Sequence, residues 1–131
     1  RGDFRELMAI TVAVFDDVLG GMKAGATLGS VLGVYEAAVG RHGSGACKTA
    51  YPLMHARGLG DEYPTVLSPD DIAKHGDFKL EAGMAFVLKP RVAKKGVPTG
   101  QIGEMVVVGE SGGIRLGREV LGLKELPWRD A

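Results

Sequence analysis

The chain has 131 residues, 45% of them hydrophobic, and its 16 basic and 16 acidic residues cancel. That length suits one domain with a real core, and balanced charge excludes bulk recruitment of nucleic acid or an anionic membrane, Lys94-Lys95 being too short a basic run to alter this. No apolar run approaches the roughly 20 residues that span a bilayer, and Arg1-Gly2-Asp3-Phe4 has no part of a signal peptide, so a soluble chain is expected.

Phe4, Leu7, Met8, Thr11, Phe15, Val18, Leu19 and Met22 recur at the spacing of a helix with one apolar face, and Gly20-Gly21 marks its end. Such a stripe packs on a sheet. Thr27 caps a second helix whose face carries Leu28, Val31, Leu32, Tyr35 and Val39, with Gly40 as its stop. Arg41-His42-Gly43-Ser44-Gly45 reads as a flexible joint with His42 exposed, and residues 46–54 as a short strand. Cys47 is the only cysteine, so no intrachain disulfide can form and a reduced cytoplasm is expected; with no histidine in a nucleophile motif nearby, it reads as a small buried apolar residue.

Leu53-Met54-His55-Ala56-Arg57-Gly58-Leu59-Gly60-Asp61-Glu62-Tyr63-Pro64 holds a histidine, two glycines, an acidic pair and a proline. That mixture suits a tight loop better than a helix or a central strand. His55 carries the one group here that titrates near neutrality, so it can ligate a metal or move a proton, and Asp61 and Glu62 can accept one. A hydrogen-bonded structural histidine is the alternative.

Thr65-Val66-Leu67 leads to Ser68-Pro69-Asp70-Asp71, where a cap, a proline at the first helical position and acids in the first turn predict a helix of one or two turns. His75, before Gly76, ends it as a dipole-compensating or solvated residue. Glu81-Ala82-Gly83 turns the chain into a strand on which Met84, Phe86 and Leu88 alternate before Lys89-Pro90, and residues 93–100 read as a polar connection. Met105-Val106-Val107-Val108, apolar on both faces, fits a buried strand entered by Glu104. Ser111-Gly112-Gly113 closes an antiparallel hairpin with Ile114-Arg115-Leu116, and residues 121–128 form a tail over the sheet. Residues 1–131 thus make one α+β unit, two amphipathic helices on a curved, mainly antiparallel sheet with His55 opening onto the other face.

The order of helix, helix, glycine-rich histidine loop, then Gly83-Met84-Ala85-Phe86-Val87-Leu88-Lys89-Pro90, then Gly103-Glu104-Met105-Val106-Val107-Val108-Gly109-Glu110-Ser111-Gly112-Gly113, resembles the C-terminal part of the pita-bread fold. This is the family of methionine aminopeptidases, Xaa-Pro aminopeptidases, prolidases and creatinase. The resemblance covers nearly the whole chain, is nearest to the Xaa-Pro aminopeptidase and prolidase branch, and implies metal-dependent hydrolysis of peptide bonds next to proline. The missing initiator methionine and the immediate amphipathic pattern add the expectation of a piece of a longer protein.

The family's loop reads His-Gly-x-Gly and then His-Glu-x-Pro; His55-Ala56-Arg57-Gly58 and Glu62-Tyr63-Pro64 stand in those places. His55 then corresponds to the metal-binding histidine, and the second, substrate-contacting histidine falls on or beside Asp61, one residue short in spacing. The family's Glu-Pro, whose glutamate binds metal, is Lys89-Pro90 here. The last metal-binding glutamate falls on Glu104, or, with a shift of one residue, on Gly103. The family's two bridging aspartates lie upstream of the first helix.

At most His55 and Glu104 remain of that ligand set, and a Lys89 ammonium repels a cation where a carboxylate should hold it. We therefore expect no metal cofactor in this chain by itself and a divalent manganese, cobalt or zinc only in a full-length parent. The resemblance implies three functions. In the first, a peptidase, His55 and Glu104 ligate metal and Asp61 or Glu62 assists proton transfer. In the second, a metal-independent creatinase-like hydrolase or small-carboxylate lyase, His55 is acid and base while Lys89 and Tyr63 hold substrate. The third is a peptide-binding pseudoenzyme. The expected partners are a small peptide or small carboxylate and a second copy of the chain in a homodimer, with no nucleic acid and no membrane.

Overall fold

The computed structural model describes residues 2–58, 60–118 and 121. Helix α1 (Gly2–Gly21) buries Leu7, Met8, Thr11, Val14, Phe15 and Val18, the predicted stripe, and Met22 beyond its end is fully buried. Helix α2 (Leu28–His42) starts on a reciprocal cap: the Ser30 amide donates to the Thr27 hydroxyl at 3.1 Å and the Thr27 amide to the Ser30 hydroxyl at 3.0 Å.

The second helix does not stop at Gly40. It runs on to His42 and closes where the Gly43 amide donates to the Val39 carbonyl at 2.9 Å. The reason is a tie between the helices: Arg41 Nη2 and His42 Nε2 lie 2.5 and 2.7 Å from Asp17 Oδ2 on α1. His42 is therefore half-buried and engaged rather than exposed, and the Arg41 guanidinium sits where the C-terminal dipole favours it. Burial pushes the Asp17 carboxyl up, but the His42 and Arg41 hydrogen bonds outweigh it and hold the group below the usual carboxylate range.

Two sheets follow instead of one. β1 (Cys47–Ala50), β5 (Arg91–Lys94) and β6 (Gly100–Gln101) form a three-stranded sheet in the order β1-β5-β6. The second sheet is built from β2 (Met54–Arg57), β3 (Asp61–Val66), β4 (Ala85–Leu88), β7 (Glu104–Val108) and β8 (Gly113–Arg115), in the order β3-β2-β4-β7-β8. All pairings are antiparallel. The stretch expected as a connection, residues 93–100, thus holds the end of β5 and the first residue of β6, because Val92 is fully buried and pairs with Thr49 and Gly100. β1 runs towards β2 through Pro52, and β4 towards β5 through Pro90; a proline cannot donate to a ladder, so the sheet divides at these residues.

Tyr35 fills the division. Its hydroxyl donates to the Ala50 carbonyl at 2.7 Å, also meets the Arg91 carbonyl, and accepts from the amides of Ala50 and Arg91 at 3.1 and 3.3 Å. The ring is fully buried among the core side chains, which include Phe15, Val31, Leu53, Met54, Phe86, Leu88 and Val106. The hairpin of β7 and β8 packs flush on the end of α1: a Cβ at Gly113 would stand 2.6 Å from Leu19 Cδ1 and 2.9 Å from the Leu19 carbonyl, so no larger residue fits that turn.

Helix α3 (Pro69–His75) begins as predicted, with the Asp71 carboxylate accepting from the amides of Leu67 and Ser68 at 2.8 and 3.0 Å. In β7 only one face is covered by described residues: Val106 and Val108 are buried, while Met105 is 36% exposed. Leu121 packs on the core, and residues 122–128 of the expected tail lie outside the described residues. No helix among the described residues is long and apolar enough to cross a membrane.

Tyr35→Phe should lose roughly 1–3 kcal/mol of folding stability in urea denaturation, because it strands buried backbone groups at the division between sheets. Burial pushes the Tyr35 phenol up to about 12, and the donating amides of Ala50 and Arg91 offset only part of that. A raised folded pKa means stability is complete below the ordinary phenol range near 10 and is lost as pH rises towards about 12. Stability that declines equally between those values in wild type and Tyr35→Phe would remove this role.

Candidate functional site

His55 sits on a central strand, not in a loop. The glycines at 58 and 60 do turn the chain, with the Gly58 amide donating to the Gly60 carbonyl at 3.2 Å, but the residues on each side pair as β2 and β3. His55 pairs with Thr65 while Ala56 pairs with Glu62, so Tyr63 and Pro64 are extra residues in a bulge. A proline is tolerated there because β3 is the sheet's edge strand. His55 is 6% exposed, and its Nδ1 lies 3.2 Å from the Ala56 carbonyl.

The register assigns each side chain to a face, because directly paired residues share one. His55 pairs with Val87, and Val87 with Met105. One step along the strands, the Lys89 amide donates to the Leu53 carbonyl at 2.8 Å, and a Cβ built on Gly103 would lie 3.4 Å from Lys89 Cβ. Leu53, Lys89 and Gly103 thus form a second row beside His55, Val87 and Met105. Val107 pairs with Ile114 farther along the same face, whose rim exposes Met105, Ile114 and Leu116.

The opposite face bears Met54, Leu88 and Glu104 in one row and Ala56, Phe86 and Val106 in the next; Met54, Leu88, Phe86 and Val106 are core residues, and on the His55 face Leu53 and His55 are buried as well. Glu104 therefore does not join His55. Its carboxylate is 11% exposed and accepts from Arg115 Nε at 2.7 Å, and it lies so near Gly117 that a Cβ there would be 1.9 Å from Oε1. The one-residue alternative, Gly103, is the position on the His55 face. The sequence reading missed Arg115, although its place between outward Ile114 and Leu116 was the signal: alternation turns it inward, where it needs a carboxylate.

Tyr63 belongs to a third location. Its ring is 56% exposed and edge-on to His75 and Phe78, with centroids 4.7 and 5.7 Å apart. His75 is consequently half-buried against a ring rather than simply solvated. Tyr63, Arg57, Pro64, Phe78, Met84 and Phe86 border a cleft of about 210 Å3 that neither His55 nor Lys89 lines. The side chains of Asp61 and Glu62 lie outside the described residues.

The described residues by themselves do not assemble a two-metal centre. Among the described residues no three His, Cys, Asp or Glu side chains gather as a metal site requires. The His55 face offers one imidazole, an ammonium at Lys89 and no side chain at Gly103, whereas divalent ions in such centres depend on carboxylates. What it can do chemically is move a proton at His55 and hold negative charge at Lys89.

Helices packed on a divided antiparallel sheet, with a buried histidine on its second strand, define a part of the pita-bread fold. Solved structures carry the same fold: the X-Pro aminopeptidase from Thermotoga maritima (TM-score 0.76, 22% identity) and the dipeptidase PepE from Mycobacterium ulcerans (0.74, 20%) each match 94% of this chain. The methionine aminopeptidase from Thermotoga maritima matches 87% of it, with a TM-score of 0.70 and 19% identity. The chain spans about a third of the length of the first two, 33% and 32%, and 51% of the third. No family model and no curated protein matches the sequence.

Glu104→Gln should cost roughly 1–3 kcal/mol of folding stability, since it uncouples Arg115 from a largely buried carboxylate, while leaving any ligand affinity of the His55 face unchanged. Thermal unfolding together with ligand titration checks both halves. A loss of ligand binding equal to that in His55→Ala would return Glu104 to the site.

Proposed function

We propose that the chain is part of a hydrolase of the Xaa-Pro aminopeptidase or prolidase type, cleaving peptide bonds next to proline, with a degenerate metal site in these residues. The observation that carries this reading is the fold shared with X-Pro aminopeptidase and dipeptidase structures over 94% of the chain, together with a histidine on the strand paired with β4. His55 is the group that moves the proton, and Asp61 on the paired strand assists it, whereas Glu62, paired with Ala56, and Tyr63, at the separate cleft, stand apart from it. A divalent ion in a longer parent would need carboxylates from outside the described residues.

Lys89 favours a second reading of the same groove, one that works without metal. An ammonium beside His55 suits a creatinase-like hydrolase or a lyase acting on a small carboxylate, with His55 as acid and base; the same groove without turnover is a peptide-binding pseudoenzyme. In either reading the protein acts in the cytoplasm on a small peptide or carboxylate. A homodimer over Met105, Ile114 and Leu116 would cover the apolar rim.

Elemental analysis after incubation with manganese or cobalt and desalting separates the readings. For this chain we expect no retained metal, and chelation should leave any hydrolysis of an Xaa-Pro dipeptide untouched while His55→Ala abolishes it. About two ions retained per chain would overturn the degenerate site. No hydrolysis by this chain or by any longer form containing it would leave only the binding module.

A further inference from the structure

We propose that the outer face of the three-stranded sheet, with its edge strand β1, is a docking surface for an acidic protein segment in extended conformation. The surface is separate from the His55 face and needs no hydrolysis there. Charge distribution is the first observation. The chain is neutral as a whole, yet no Asp or Glu stands between Glu36 and Asp61 or between Glu81 and Glu104, and those two stretches supply all of β1, β5 and β6. Their sheet therefore carries Lys48, Arg91 and Lys94, with Lys95 at its end, and no acid.

Register divides these cations between two faces. Cys47 and Thr49 share one with Lys94, Val92 and Gly100, and this side packs on the helices. Cys47 and Val92 are buried, a Cβ at Gly100 would stand 2.8 Å from Thr11 Oγ1, and Lys94 reaches Glu6 of α1 at 3.3 Å. The outer face presents Lys48 opposite Ala93, and Arg91 opposite both Ala50 and Gln101. Lys48 and Arg91 are thus diagonal neighbours, and exposed Lys95 follows in the turn after β5. Neither Lys48 nor Lys95 has an ion pair among the described residues. The Arg91 guanidinium is fixed by uncharged acceptors only: Nε and Nη2 donate to Gln101 Oε1 at 2.8 and 2.6 Å, and Nη1 to the Tyr51 carbonyl at 3.2 Å.

Geometry selects a peptide as the occupant. Diagonal neighbours stand about 7–8 Å apart, and alternate side chains of an extended chain recur at about 6.7 Å, so carboxylates at every second position meet successive cations. β1 pairs with β5 alone, and an edge strand turns alternate peptide groups outward, where an added strand bonds them. From such a strand, small Ala50 leaves the path across β1 to Arg91 clear. Lys48, Ala50, Arg91, Ala93 and Gln101 include no ring on which a nucleic-acid base would stack.

Fluorescence anisotropy with a labelled peptide of alternating threonine and glutamate, capped at both ends, tests this. We expect the 131-residue chain to bind it at least about tenfold more tightly than the threonine and glutamine analogue, and added salt to erase the difference. Lys48→Glu combined with Lys95→Glu, both at exposed positions, should remove that advantage. Lys74→Glu combined with Lys79→Glu makes the same charge change outside this sheet and should keep it. Amide hydrogen exchange should slow in β1 when the peptide binds. Equal affinity for the glutamine analogue, unchanged affinity in the folded Lys48 and Lys95 variant, or an equal loss in the Lys74 and Lys79 variant overturns the proposal. Equal affinity for a peptide with its glutamates in one block, or β1 exchange unaltered by binding, overturns the extended strand. Tighter binding of oligouridylate or of anionic vesicles, lost in the Lys48 and Lys95 variant, overturns the acidic segment as the occupant.

Discussion

A hydrogen-bond ladder cannot run through a proline, and this fold meets two of them side by side. Pro52 and Pro90 stand where β1 would continue into β2 and β4 into β5, so backbone groups near the junction lose their regular partners inside the core. The Tyr35 hydroxyl, presented from α2, meets backbone groups of Ala50 and Arg91 on the two strands. That single phenol lets one curved surface divide into two sheets without stranding buried amides. It also fixes where the site begins. Lys89, just before the break, still bonds Leu53 through its amide, so its side chain is anchored to the last row of the ladder rather than to a loop.

The period of a strand then decides the chemistry. Glu104 and Gly103 are adjacent, yet alternation sends one to the helix-covered face and leaves the other beside Lys89. On the covered face a carboxylate is tolerated because Arg115 is turned inward to meet it, and the pair becomes part of the packing under Gly117. On the open face the same alternation leaves no carboxylate in the row that holds Lys89. A shift of one residue in the register would exchange an ion-paired core for an acidic groove.

Much of this was legible in the sequence. The helical stripes, the Thr27 cap, the Ser68-Pro69 start of α3, the Met84-Phe86-Leu88 alternation and the closing hairpin are all local patterns, each set by side-chain periodicity or cap chemistry within a few residues. The readings that failed depend on partners distant in sequence. Gly58 and Gly60 did mark a turn, but only pairing with β4 made His55 part of a central strand. Gly40 looked like a stop because nothing nearby showed that Asp17 would hold Arg41 and His42 in one more turn. His55 and Lys89 were legible as chemistry; the separation of Glu104 and Tyr63 from them was not, because face and cleft are properties of the assembled sheet.

The open face gains its meaning from the sign of its charge. In the family that the sequence resembles, carboxylates would make this groove a cation site, and removing them singly would leave a weaker site of the same kind. Here the row holds Lys89 and Gly103, so its charge is positive and no carboxylate stands beside the ammonium in it. The two residues act together: an ammonium facing a glutamate would be internally paired, whereas one facing glycine has no such partner in its row. His55, two residues along the paired strand on the same face, is held by its strand register rather than by a loop, so the spacing between imidazole and ammonium rows is set by the sheet itself.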